Sequence, residues 1–160
     1  MNTREHYVEC FKAEKPKFLR VLQAVPADKA SYRPHEKSAS ASGLVWLLAS
    51  ELGDACKIID HGELNFVMPP EPSVKDSIAI YERNAGELEK RLARIDDAAW
   101  GKKARFLVDG NVAWEANLGE MLWGFLFDAI HHRGQLSTYL RPMGAKVPSI
   151  YGPSADDPGM

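Results

Sequence analysis

Four stretches of the chain carry apolar residues at three- and four-residue spacing, the period of an amphipathic helix. These stripes run from Tyr7 to Val25, from Leu44 to Ile58, from Val74 to Ile95 and from Met121 to Leu140. Pro16 lies inside the first stripe and predicts a kink there or a break into two segments, because proline removes a helical hydrogen bond. Four such helices joined by moderate loops predict an all-α fold, a four-helix bundle.

Signals for helix ends support these boundaries. The residues Asn117 to Glu120 form a capping box that opens the last helix. Pro142 and Gly144 end that helix, because proline cannot continue it and glycine tolerates the terminal turn. A similar capping box at Asn2 to Glu5 opens the first helix, and Ser73 to Asp76 opens the third.

The connections contain less regular sequence. Asn65 to Pro72 holds three prolines and is predicted to be non-helical. Between the third and fourth helices, two short apolar runs flank Asp109 to Asn111, which predicts a short hairpin or an extended crossover. The tail, about residues 145–160, is rich in proline and glycine and is predicted to be irregular and partly mobile. The whole chain, residues 1–160, is predicted to form a single domain.

Composition excludes several classes of protein. A hydrophobic content of 45% and a charged content of 26% favour an ordered domain over a disordered chain. The net charge of -2 offers no basic face for a nucleic-acid partner. No apolar run approaches the roughly 18 residues of a membrane span. The N-terminus resembles no signal peptide, and Cys10 and Cys56 lack metal-ligand spacing, so we expect a cytoplasmic protein.

Candidate chemistry is concentrated on the fourth helix. This otherwise apolar segment carries Asp128 and His132 four residues apart, which places both side chains on one helix face. A carboxylate and an imidazole at that spacing can chelate a divalent ion, as bundle cores often do. The alternative is a hydrogen-bonded pair without an ion, in which each group satisfies the other.

Three further polar residues lie beside this pair. His131 points about a third of a turn away from His132, so it is interpreted as a structural or rim residue. Arg133, on the helix flank, is expected to form an ordinary salt bridge with a neighbouring helix. Gln135 follows His132 by three residues and could orient its imidazole or a bound water. A simple interhelical hydrogen bond from Gln135 is the alternative.

Two motifs resemble those of a known family. The segment His131 to Leu136, followed by Tyr139 to Gly144, resembles the closing motif of the DinB-like (YfiT-like) metalloenzyme family. Leu44 to Glu51 is similar to that family's second-helix motif, and the loop Tyr32 to Pro34 also fits. The resemblance implies a four-helix bundle, a homodimer and a divalent metal, zinc or nickel, held by three histidines. It also implies a relationship to thiol-dependent transferases and isomerases.

The family's three ligands carry over only in part. The last histidine matches His132, the middle one falls on Asp128, and the first falls on Leu47, which cannot bind a metal. Glu51, one turn further along the second helix, is the candidate substitute. A catalytic zinc normally has three protein ligands plus water. The resemblance therefore implies a zinc or nickel site that is weak or absent.

These observations predict a polar pocket between helices at Asp128 and His132, with Gln135, His131 and Glu51 lining it or supporting its ligands. The functional hypothesis is a metal-dependent hydrolase or a thiol-dependent transferase. The alternative is a non-catalytic protein that binds a small-molecule ligand or forms a dimer, with a purely structural Asp128–His132 pair. Whether the protein is an enzyme stays open. The sequence also predicts burial of four apolar side chains, namely Leu47, Leu88, Phe125 and Ile130.

Overall fold

The computed structural model describes residues 3–159, and within them five helices enclose a core that a small sheet extends. The helices are α1 (Thr3–Gln23), α2 (Ala41–His61), α3 (Val74–Leu92), α4 (Asp97–Trp100) and α5 (Leu118–Leu140), with a 3₁₀ turn at Ala27–Lys29. The strands are β1 (Glu63–Phe66), β2 (Lys103–Val108) and β3 (Asn111–Asn117). The prediction of a mainly helical protein is confirmed. The all-α class needs correction, because a three-stranded sheet is present.

Helices α3 and α5 begin at the capping residues that the sequence predicted, whereas α2 begins at Ala41, a few residues before its predicted start. The Ser40 hydroxyl accepts a hydrogen bond from the Gly43 N–H at the start of α2, and Ser73 does the same for Asp76 at the start of α3. At the start of α5 the Asn117 N–H donates to Glu120 Oε2 at 3.3 Å, as a capping box requires. The predicted box at the start of α1 includes Asn2, which lies outside the described residues.

Helix α1 continues through Pro16 without a break, so the predicted division into two segments is wrong. Proline removes one backbone hydrogen bond, but most helical stability in proteins comes from packing of the apolar face. Phe11 and Phe18, on either side of Pro16, are each 2% exposed. The proline itself lies on the exposed side of the helix. Core contacts on both sides therefore hold the helix together across it.

The sheet has the order β1-β2-β3. Strands β2 and β3 form the predicted hairpin, and its two loop residues, Asp109 and Gly110, have φ values of 50° and 77°. Positive φ at both positions is the pattern of a type I′ turn, whose twist suits a hairpin. Strand β1 was not predicted. It pairs in parallel with β2, with Glu63 opposite Arg105. Its strand conformation therefore depends on β2, which is distant in sequence.

Of the four side chains predicted to be buried, one is buried and three are half-buried. Leu88 is fully buried at 0% exposure, as predicted. Leu47, Phe125 and Ile130 are only half-buried, so the prediction of full burial is wrong for them. Leu47 and Phe125 line a cleft, and side chains that line a cleft keep part of their surface accessible. Ile130 packs against the edge of the core.

Arg133 forms the salt bridge predicted from its place on the flank of α5. It is 2% exposed, and its Nη1 donates to Glu14 Oε2 of α1 at 2.5 Å. Its Nη2 donates to the Tyr151 hydroxyl at 2.6 Å, and that hydroxyl donates to Glu14 at 2.8 Å. Burial acts to raise the pKa of Glu14, but hydrogen bonds from Lys17, Arg133 and Tyr151 outweigh it and lower the pKa.

The C-terminal tail is irregular, as predicted, and hydrogen bonds join it to the bundle. Tyr151 reaches Arg133, and Asp156 accepts from the Val147 N–H at 3.0 Å and from Arg141 at 2.8 Å. These contacts bring the tail against α5. None of the helices within residues 3–159 combines the length and apolar character needed to cross a lipid bilayer.

Candidate functional site

A cleft of about 400 Å³ lies between α2, α5 and the sheet. Its volume falls in the usual range for small-molecule sites, about 300–1,000 Å³. Four of its residues come from α2, three from the strands and three from α5. They are Leu47, Ser50, Glu51, Asp54, Phe66, Phe106, Trp114, Gly124, Phe125 and Asp128.

The α2 wall follows from helical spacing. Leu47, Glu51 and Asp54 are separated by four and three residues, so they share one face of the helix. Ser50 lies beside them and donates from its hydroxyl to the Leu47 carbonyl at 3.0 Å. The helix therefore presents one apolar, one hydroxyl and two carboxyl side chains to the cleft.

The opposite wall is aromatic. Phe106 lies directly across the hairpin from Trp114, so both side chains point to the same face of the sheet. Phe125 of α5 meets them edge-on, with ring centroids 6.0 Å from Phe106 and 6.3 Å from Trp114. Phe66 of β1 completes the row at 5.7 Å from Phe106. Aromatic pairs prefer such edge-to-face and tilted geometries, which fix the shape of this wall.

Glycine at position 124 allows the indole to lie against α5. A Cβ at this position would fall 2.4 Å from Trp114 Cη2, far inside van der Waals contact. Any larger residue would displace the indole. Gly124 therefore sets the position of Trp114, which is 37% exposed at the cleft.

Glu51 has the most perturbed ionisation in the cleft. Burial, with added repulsion from Asp128 and Asp54, raises its pKa to about 9, so the carboxyl is neutral at pH 7. Its Oε2 is buried and accepts no hydrogen bond from any side chain or backbone group of residues 3–159. Burial also raises the pKa of Asp54, although Lys57, whose Nζ lies 2.8 Å from Asp54 Oδ1, opposes that shift.

Asp128 begins a chain of polar contacts along α5. Its Oδ2 lies 3.3 Å from His132 Nε2, the contact expected for a four-residue spacing. His132 Nδ1 lies 3.0 Å from Gln135 Oε1, and Gln135 Nε2 donates to the Tyr139 hydroxyl at 3.3 Å. The imidazole is therefore held at both nitrogens. The hydrogen bond of Gln135 is thus made within α5, to His132, and not to a neighbouring helix.

The structure separates the predicted site residues into two groups. Glu51, Asp128 and Leu47 line the cleft together. His132 lies one turn further along the same face of α5 as Asp128 and does not line the cleft, and Gln135 lies about one more turn along the helix. His131 is exposed and meets the His132 ring edge-on at 5.1 Å. The cleft therefore includes Asp128 and Glu51 of the predicted site residues and none of His131, His132 and Gln135.

The metal implied by the resemblance does not fit this donor set. Leu47 lines the cleft at the first of the three ligand positions and offers no ligand atom. Both nitrogens of His132 are already engaged. Across residues 3–159, no group of three or more histidine, cysteine, aspartate or glutamate side chains is placed to bind one ion.

Sequence reasoning missed Asp54, Ser50 and the aromatic wall. A signal for Asp54 was present, since it follows Glu51 by three residues on the same helix face. For Phe66, Phe106 and Trp114 no comparable signal existed, because the face that each strand presents to the bundle depends on long-range pairing.

A helix bundle with a ligand-sized cleft between two of its helices and a small sheet defines the class of this protein. The chain belongs to the DinB family, whose model matches residues 1–159. No curated protein matches the chain.

Solved structures show the same fold. A DinB-like protein from Bacillus cereus is 16% identical, with a TM-score of 0.77, and the match covers 92% of this chain and 97% of that one. A DinB-like protein from Bacillus subtilis is 19% identical, with a TM-score of 0.70, over 87% and 92% of the two chains. A mycothiol-dependent maleylpyruvate isomerase is 14% identical, with a TM-score of 0.57, and the match covers 91% of this chain and 62% of the isomerase.

Proposed function

We propose that this protein binds a small organic molecule in the cleft between α2, α5 and the sheet, without a three-ligand catalytic metal. The observation that carries the proposal is Glu51, which lines the cleft with a buried Oε2 that lacks a hydrogen-bond partner among the described residues and whose pKa is raised to about 9. Burying such a group destabilises the folded protein. Perturbed carboxyls in clefts are typical of functional sites, and the cleft volume of about 400 Å³ suits a small ligand.

The geometry supports binding more strongly than metal chemistry. The residue that the family pattern expects as the first metal ligand is Leu47, and it presents an apolar side chain to the cleft. The imidazole of His132 is held by Asp128 and Gln135. This arrangement favours a fixed structural pair over a ligand set that waits for an ion.

A thiol-dependent reaction is the second candidate function. The observation that favours it is the Asp128–His132 pair, 3.3 Å apart, because Asp128 lines the cleft and a carboxylate paired with an imidazole can accept a proton from a substrate thiol. The mycothiol-dependent isomerase supplies the same fold as a precedent. Faster loss of a thiol in the presence of protein and an electrophile, abolished in His132→Ala, would support catalysis. An unchanged rate with the wild-type protein would leave binding alone.

Ligand-observed NMR with a fragment set tests the binding function. Leu47→Trp places a larger side chain in the cleft and should abolish binding of the fragments that the wild-type protein binds there. Leu107→Trp is the matched control, because Leu107 is half-buried on β2 but does not line the cleft. Binding that persists unchanged in Leu47→Trp would contradict the proposal, provided that circular dichroism shows both variants to be folded.

A further inference from the structure

All the ionisable side chains that line the cleft are acidic. Glu51, Asp54 and Asp128 bring three carboxyl groups to its wall, and none of the ten residues that line it is lysine, arginine or histidine. Lys57 pairs with Asp54 at 2.8 Å, and His132 contacts Asp128 at 3.3 Å. A ligand in this cleft therefore meets acidic groups and no basic side chain from the lining.

Glu51 differs from the other two carboxyls, because its Oε2 lacks a partner in the described part of the chain. A buried oxygen without a hydrogen bond destabilises the folded state, so such groups in native proteins call for an explanation. A ligand that carries N–H donors supplies the missing bond. Glu51 also borders a small interior cavity of about 20 Å³ shared with Tyr81, where a single buried water is the competing partner.

The aromatic wall adds a second attraction for the same kind of ligand. The faces of aromatic rings carry negative charge density and attract cations within about 6 Å. Four aromatic side chains, Phe66, Phe106, Phe125 and Trp114, line the cleft together with the carboxyls. The same rings offer apolar surface to the body of a ligand. Carboxyls and aromatic rings in one cleft thus favour a ligand with a positive charge and an apolar part.

Building on the proposed binding function, we propose that the ligand is a small organic cation, a protonated amine joined to an apolar or aromatic body. Its ammonium group lies between Glu51 and Asp128 and donates to the unpartnered Glu51 oxygen. Because a neighbouring positive charge favours a carboxylate, Glu51, which is neutral in the free protein, releases its proton to solvent when the amine binds. Its apolar body lies against the rings of the sheet and Phe125. An anionic ligand of the same shape is rejected, because three carboxyls face it.

Isothermal titration calorimetry with three probes of similar shape tests this inference. The probes are 2-phenylethylamine, the neutral 2-phenylethanol and the anionic 3-phenylpropanoate. The wild-type protein should bind the amine about tenfold more tightly than the alcohol, the gain expected from a charge-assisted hydrogen bond. The anion should bind more weakly than the alcohol. Glu51→Gln should remove the amine's advantage and leave the affinity for the alcohol little changed.

Glu82→Gln is the matched control, because Glu82 is an exposed glutamate on α3 outside the cleft; it should leave all three affinities unchanged. Equal binding of amine and alcohol, lost for both in Leu47→Trp, would overturn the cation proposal and leave the proposed function intact. An amine preference that survives Glu51→Gln would also overturn it and would favour a water as the partner of Glu51. If none of the probes or fragments binds in a manner sensitive to Leu47→Trp, the proposed function itself is wrong.

Discussion

Replacing Glu51 by glutamine tests the central electrostatic feature of the cleft. The pKa of Glu51 is raised from 4.5 to about 9, first by burial and then by the charges of Asp128 and Asp54. A raised carboxyl pKa contributes stability that is fully present below the unfolded value of 4.5 and is lost as the pH rises toward 9. Glutamine has nearly the same shape and cannot ionise, so Glu51→Gln should escape that loss.

The magnitude follows from the pH interval. Between pH 4.5 and pH 7 the unfolded chain releases the Glu51 proton and the folded protein keeps it. Each pH unit then lowers the free energy of unfolding of the wild-type protein by about 1.4 kcal/mol. By pH 7 the wild-type protein should therefore lose about 3 kcal/mol of stability relative to Glu51→Gln. Near pH 4 the two proteins should differ only by the small effect of exchanging a hydroxyl for an amide.

Urea denaturation of both proteins at pH 4 and pH 7 measures this change in the free energy of unfolding. Groups that titrate in the same way in both proteins contribute equally to the two values and drop out of their difference. Glu82→Gln is the control, since an exposed glutamate should produce a pH-independent difference near zero. If the difference between wild type and Glu51→Gln changes by less than about 0.5 kcal/mol over this range, the folded protein holds Glu51 ionised. The interpretation of the cleft as a site with a buried neutral acid would then be wrong.

Three further predictions concern the core, the association and the metal. Leu88→Ala should cost about 2–5 kcal/mol in urea denaturation, because Leu88 is fully buried; a loss under about 0.5 kcal/mol would contradict its place in the core. Phe127 is 62% exposed and stacks on Trp123, so sedimentation at tens of micromolar should give a homodimer of twice 17.8 kDa. Phe127→Ser should shift it to monomer, and a wild-type monomer would refute the association. Purified protein should hold substoichiometric zinc or nickel, or none. Leu47→His should raise the metal content and Asp128→Ala, which removes the candidate ligand that lines the same cleft, should reverse that gain, whereas one tight ion per wild-type chain would contradict the weak-site prediction.

The helices could be predicted because their signals are local. Ser73 and Asn117 cap their helices through side chains that the sequence shows directly, and Gly62 ends α2 with a φ of 72°. The hairpin loop at Asp109 and Gly110 is equally local. Strand β1 could not be predicted, because its four residues become a strand only through pairing with β2, some forty residues later in the chain.

The site was predicted in part for the same reason. Spacing placed Asp128 next to His132, and the family motif pointed to Glu51 and Leu47. The sequence does not specify how far along α5 the cleft extends. Asp128 lines the cleft, whereas His132, one turn further along the same helix face, does not. Full burial of Leu47 was expected from its apolar stripe, but a cleft lined by one side of that stripe leaves it partly exposed.

The most direct test of the proposed function is a crystal structure of the protein soaked with small organic fragments. If the protein binds small organic molecules in the cleft, fragment density should appear there, with a polar atom within hydrogen-bond distance of Glu51 and the rest of the fragment against Trp114. Leu47→Trp crystals, soaked in the same way, should show the cleft filled by the introduced indole. Fragments bound only at other surfaces of the wild-type protein, with only water in the cleft at Glu51, would contradict the proposed function.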